Sequence, residues 1–251
     1  MQLLNKILKI IYTVYAFIIF IALMFLALPF IVIASAFGVK GGNVVYKLCQ
    51  LWAIVWYTFI GIRHKEIYEA VHNKNNHYIF VANHISYMDI PAAVLAIHQP
   101  VRVLGKYEMV KYPVFGWIYR AAAILVDRSS PEQRAKSIRA MKAALKRKIS
   151  IFIFPEGTFN ETIHPLKSFY NGAFRIAIET QTPIKPLLMI DTLERMHYSG
   201  IFTLTPGVSR IVYLQEIDVS NYTINDLNEL KDKVYKMMEE GLKRYRSYPQ
   251  S

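Results

Sequence analysis

From Ile10 to Phe37 the chain carries no charged side chain, a run longer than the roughly 20 residues that cross a bilayer core. A second apolar stretch at 44–62 is interrupted by Lys47 and Gln50 and holds Trp52, Trp56 and Tyr57, amphipathic aromatics that favour membrane interfaces. The two stretches predict an N-terminal hydrophobic helical hairpin joined by GVKGGN. Pro29 and the polar residues of the second stretch leave open both two full spans and a hairpin embedded in one leaflet. A cleaved leader is a further reading, because Lys6 and Lys9 precede the run and Ala34-Ser35-Ala36 resembles a cleavage site. So is a pair of buried helices in a large soluble core.

Beyond Lys65 short β-rich runs interleave with helical ones. HYIFVAN precedes PAAVLAIH; VRVLGK, AAILVDR and SIFIFPEG follow; GAFRIAIET leads into PIKPLLMI, and RIVYLQEI comes last. Such alternation predicts an α/β fold, a mixed β-sheet with flanking helices. With no internal repeat or low-complexity linker, the chain divides into membrane-associated helices over 1–65 and one catalytic-sized domain over 66–251. Ser130-Pro131-Glu132-Gln133 marks a helix start, with serine as N-cap and proline at the first helical position. The helix it opens is rich in lysine and arginine, read either as a basic face for an anion or as a solvated surface. LKDKVYKMMEEGLKRYR near the C-terminus is amphipathic.

Charge narrows the choice of partner. Thirty Lys and Arg face 18 acidic residues, a net charge of +12 on a chain that is 53% hydrophobic, which favours phospholipid headgroups or a phosphorylated substrate. Lys6 and Lys9 would share a face with Arg63 and Lys65 if the hairpin returns to its starting side, and the positive-inside bias makes that face cytoplasmic. No nucleic-acid-binding module is present. A single cysteine, Cys49, allows no internal disulfide and no Cys/His cluster with zinc spacing, consistent with a reducing compartment.

The apolar run IFVAN ends at His84, with Asp89 five positions on. A histidine just past the carboxyl end of a strand lies where open α/β sheets build their sites. Ser86 and Asp89 have the spacing of a capping box, which brings the carboxylate back toward the turn. A carboxylate on one ring nitrogen fixes the tautomer and leaves the other as an acceptor, as a general base requires. In isolation the same residues also read as a helix cap beside a satisfied polar side chain.

Downstream, Lys106-Tyr-Glu108 with Pro113 and Gly116 runs on to Val126-Asp127-Arg128. Next comes Pro155-Glu156-Gly157-Thr158 after a buried-looking strand, then Pro183-Ile184-Lys185-Pro186. In this order, after an apolar N-terminus, these blocks resemble the 1-acylglycerol-3-phosphate O-acyltransferases, the lysophosphatidic acid acyltransferases, over roughly residues 75–190. The resemblance implies a membrane enzyme that moves an acyl group from a thioester, acyl-CoA or acyl carrier protein, to the free hydroxyl of a lysophospholipid. His84 and Asp89 would be its catalytic pair. Glu156, Gly157 and Thr158 would lie in the acceptor site, with Arg128, Lys106 and Lys167 near the phosphate. It implies no cofactor and no metal.

The third block of that family usually reads Glu-Gly-Thr-Arg, and this chain has Phe159 in place of the arginine. Tyr170-Asn171 stand where lysines are common. Either the phosphate is held elsewhere, or the acceptor is another lysolipid such as a lyso-aminolipid. A lipid-binding membrane protein without catalysis is the reading from a different class, and an intact His84/Asp89 pair argues against it.

Overall fold

A computed structural model describes residues 2–112, 114–127 and 130–248. In chain order the first half holds α1 (Gln2–Ser35), α2 (Gly38–Phe59), β1 (Ile62–Tyr68), β2 (Ile79–Ala82), α3 (Asp89–Ala96), β3 (Val101–Lys106), α4 (Phe115–Ala122) and β4 (Ala123–Val126). The second holds α5 (Pro131–Lys146), β5 (Ser150–Ile153), α6 (Gly172–Thr180), β6 (Ile184–Met189), α7 (Thr192–Arg195), β7 (Gly207–Tyr213) and α8 (Leu227–Tyr245). The strands form a seven-stranded sheet in the order β1-β7-β6-β2-β5-β3-β4. β6, β2, β5, β3 and β4 run parallel. β7 is antiparallel to β6: Ile190 N–H donates to Arg210 O and Leu214 N–H to Pro186 O, so numbers rise on one strand as they fall on the other. The sheet is mixed and carries helices, as the alternating pattern predicts.

The chain folds as two compact units. One comprises residues 68–84, 98–188 and 212–251. Its central strands β2 and β5 are buried along their whole length. Parallel strands covered on both faces read as continuous apolar runs, which is why IFVA and SIFI show no alternation. α8 supplies Leu230, Val234, Met238 and Leu242, all fully buried and spaced four apart on one stripe. Ser130 caps α5 by accepting from Gln133 N–H at 3.3 Å. Lys185, in β6, is fully buried. Its ammonium donates to Val71 O at 3.0 Å, and burial lowers its pKa against the opposing pull of Glu216.

The other unit comprises residues 1–67, 85–97 and 189–211. α1 and α2 run antiparallel: Trp56 Nε1 donates to Ala16 O at 2.9 Å, Tyr15 to Phe59 O at 3.1 Å, and Tyr12 to Ile60 O. The hairpin differs from the sequence expectation at its tip. The chain turns at Ala36 and Phe37, and GVKGGN forms the first turns of α2 instead of a loop. The reason is packing: a Cβ on Gly41 would meet Ala34 O at 1.8 Å, so glycine lets the two helices close on each other. The second apolar stretch also packs inward. Tyr46 Oη and Gln50 Nε2 donate to Ile97 O at 2.9 and 2.8 Å, and Ala53, Trp56 and Tyr57 join a core with Met88, Leu95, Met196 and Leu204. Among the described residues only Leu3–Ser35 is a helix long and apolar enough to cross a membrane. β1, which the sequence pattern did not suggest, runs across positions 65 and 66.

Candidate active site

Parallel pairing puts the carboxyl ends of β2, β5, β3 and β4 along one edge, with Val81 level with Ile153 and Lys106 level with Val126. His84 follows β2, Phe154 to Thr158 follow β5, and Lys106 ends β3 as an exposed side chain. Arg128, two residues past β4, lies outside the described residues, as does Pro113. The edge therefore gathers His84, Lys106 and the Glu156–Thr158 turn from segments up to 72 residues apart in the chain.

Glu156 is the knot of this edge. Its carboxylate is buried, 2% exposed; Oε1 accepts the backbone N–H of His84 and Oε2 that of Lys167, each at 2.8 Å. Hydrogen bonds to an ionised acceptor are the stronger kind, so one side chain fixes the turn after β2 against the segment containing Lys167. The turn that carries Glu156 closes through Gly157 N–H to Phe154 O at 3.0 Å. Gly157 has φ +74°, a conformation glycine adopts without steric cost. Lys167 reaches back across the turn, donating to Thr158 Oγ1 at 2.8 Å and to Phe159 O at 3.5 Å. Its ammonium thereby lies beside the position where the motif usually carries arginine.

His84 is half-buried. Its backbone carbonyl accepts from Asn160 N–H at 2.6 Å, and its imidazole meets two phenyl rings, those of Phe154 and Phe159. Asn160 is buried and braces its own loop, donating to His164 O and accepting from Thr162.

Asp89 opens α3 and is fully buried. Oδ2 accepts the N–H groups of Ile85 at 2.7 Å and Ser86 at 2.9 Å, the two residues that follow His84. This is half of the expected capping box. The other half differs, because Ser86 Oγ accepts from Met88 N–H and donates to Met196 O at 2.5 Å. The helix accordingly starts at Asp89, two residues later than Ser86 as N-cap implies.

Phe154, Phe159 and Asn160 as neighbours of His84 were not found from the sequence. The only signal was the spacing of Phe152 and Phe154, two apart and so on one face of an extended chain.

The family model described as Acyltransferase matches residues 63–190, just over half of the chain and all of the edge described above. An uncharacterized acyltransferase of Schizosaccharomyces pombe is 29% identical over 230 residues, covering 85% of this chain and 81% of that protein. The 1-acyl-sn-glycerol-3-phosphate acyltransferases of Salmonella typhimurium and Escherichia coli are 31% and 30% identical, each aligned with 65% of this chain and 66% of its own length. The chain thus spans just under two thirds of those two enzymes. The crystal structure of the 1-acyl-sn-glycerophosphate acyltransferase PlsC from Thermotoga maritima matches over 100% of both chains with a TM-score of 0.77 at 21% identity, a likeness of fold. On the family match, with the matching relatives beside it, this chain belongs to the acyltransferase family.

Proposed function

We propose that the protein moves a fatty acyl group from a thioester, acyl-CoA or acyl carrier protein, to the free hydroxyl of 1-acyl-sn-glycerol-3-phosphate, forming phosphatidic acid. The observation that carries this reading is His84 just beyond a parallel strand, its main chain tied to the Glu156 turn, in a chain whose relatives include enzymes named for that reaction. His84 takes the hydroxyl proton as the oxygen attacks the thioester carbonyl. The tetrahedral intermediate collapses with loss of the C–S bond, and the imidazolium returns its proton to the departing thiolate. Asp89 holds the ring's tautomer and charge; its support is the five-residue spacing and its bonds to Ile85 and Ser86. A thiolate leaves readily, so the chemistry calls on no metal or cofactor.

The acceptor phosphate falls to Lys167, Lys106 and Arg128, since Phe159 brings no charge. A hydrogen bond to a charged group is worth about 1.5–3 kcal/mol. Lys167→Ala should therefore lower kcat/KM for lysophosphatidic acid by about 10- to 100-fold, with much less change for monoacylglycerol, which lacks the phosphate. Phe159 favours one second reading, an acceptor such as a lyso-aminolipid. The deciding experiment is acyl transfer by the full chain to lysophosphatidic acid, monoacylglycerol and a lyso-aminolipid in parallel. Preference for either phosphate-free acceptor overturns the lysophosphatidic acid assignment.

The site of action in this reading is a membrane, with the catalytic domain on the cytoplasmic face. α1 buries Ala16, Met24 and Ile31, while Leu4, Ile11, Ile18, Phe25 and Val32, seven apart, stay exposed. An exposed apolar stripe of that length suits lipid better than water. Carbonate washing of membranes should leave the protein in the pellet; its recovery in the supernatant sinks the anchor.

A further inference from the structure

The imidazole of His84 packs against two phenyl rings. Phe154 lies parallel to it, centroids 3.8 Å apart and planes 10° apart, and Phe159 meets it at 4.4 Å and 61°. Phe154 is itself braced by the fully buried Phe152, edge to face at 4.8 Å. Phe159 sits on a loop tied to His84 by the bond from Asn160 N–H to His84 O. The backbone bonds from Glu156 and Asn160 fix the main chain of His84 but not its ring. The outer torsion of histidine is broad and close to twofold, and ring contacts of this kind remove that freedom.

We propose that Phe159, with Phe154, is a positioning residue that clamps the His84 imidazole in the plane from which it takes the acceptor proton. The inference rests on His84 being the base. The parallel Phe154 ring covers one face of the imidazole, and Phe159 adds a second contact at a steep angle. The negative face of Phe154, parallel to the imidazole, also favours a cation forming on it, as the imidazolium does when it takes the proton. The position that carries arginine in the usual motif is thus used here to hold the base, and Lys167 brings a positive charge beside it.

The test is steady-state kinetics of the full-length protein in detergent, with the acceptor used fastest in the lysolipid panel, for Phe159→Leu, Phe159→Tyr, His84→Ala and the His84→Ala/Phe159→Leu double variant. Misaligning a reacting group by about 1 Å costs up to about 100-fold. Phe159→Leu should lower kcat by about 10- to 100-fold while leaving the acceptor KM within about twofold. Phe159→Tyr, which keeps the ring, should keep most of the rate. In the His84→Ala background the leucine change should cost nothing further, because it acts through the missing ring. Phe159→Met, a flexible side chain of similar reach, gives the same reading should the leucine variant fold poorly. A wild-type kcat in the leucine and methionine variants, a rise confined to KM, equal damage in the tyrosine variant, or additive losses in the double variant each overturn the clamp. A slow His84→Ala enzyme with a fast Phe159→Leu enzyme overturns the clamp alone. A fast His84→Ala enzyme overturns the base assignment and the clamp with it.

Discussion

Replacing His84 with alanine is expected to slow acyl transfer by roughly 10²–10⁴-fold, the usual contribution of a general base. The fold should tolerate the change. The N–H of residue 84 still reaches Glu156 and its carbonyl still accepts from Asn160, because both bonds belong to the main chain. What disappears is a half-buried ring and its contacts with Phe154 and Phe159. A thermal midpoint near that of the wild type, combined with the loss of turnover, locates the defect in the chemistry. Substrate binding should survive better than turnover, since a general base acts in the transition state and not in ground-state binding. Turnover within about tenfold of the wild type would contradict base catalysis by this residue.

Much of the sheet was legible because its strands obey simple rules. β2 and β5 read as unbroken apolar runs since both faces are covered, and α5 announced itself by Ser130 and Pro131. Other features depend on contacts that no local pattern encodes. α2 takes in the whole of GVKGGN, where Gly41 passes Ala34 closely, a constraint that belongs to the pairing of two helices. β1 was hidden because IRHKEIY is half polar and follows an apolar stretch directly. At the site, His84 and the Glu156 turn were visible as two motifs, but not the bond between them. The register that sets Val81 beside Ile153 brings residues 72 apart into contact. Phe154, one residue past β5, meets His84 through that same register, and Phe159 stood out in the sequence only as a departure from the usual motif.

Two carboxylates accept main-chain N–H groups at and just after residue 84. Glu156 fixes the backbone of His84 from the β5 side. Asp89 fixes the two residues after it from the start of α3. Both ties use carboxylates accepting main-chain N–H groups, so they set the turn without depending on the state of the imidazole.

Asp89 can be dissected further, because its two roles respond to different substitutions. Asp89→Asn keeps an oxygen that can accept from both Ile85 and Ser86, as Oδ2 does now, but removes the negative charge. If Asp89 pairs with His84 as proposed, this variant should leave the thermal midpoint nearly unchanged and lower kcat by about 100-fold or more, because the imidazolium would lose its charged partner and the tautomer its guide. Asp89→Ala removes the acceptor as well. Two N–H groups in a buried turn are then stranded at about 1–3 kcal/mol each, and a chain of this size loses about 2–4 °C of midpoint per kcal/mol. The alanine variant should therefore be both slow and measurably less stable, while the asparagine variant is only slow. Full turnover in Asp89→Asn, with the stability loss still present in Asp89→Ala, would make Asp89 a brace for the turn and nothing more; His84 would then act without a charged partner, and the proposed pair would reduce to a single base.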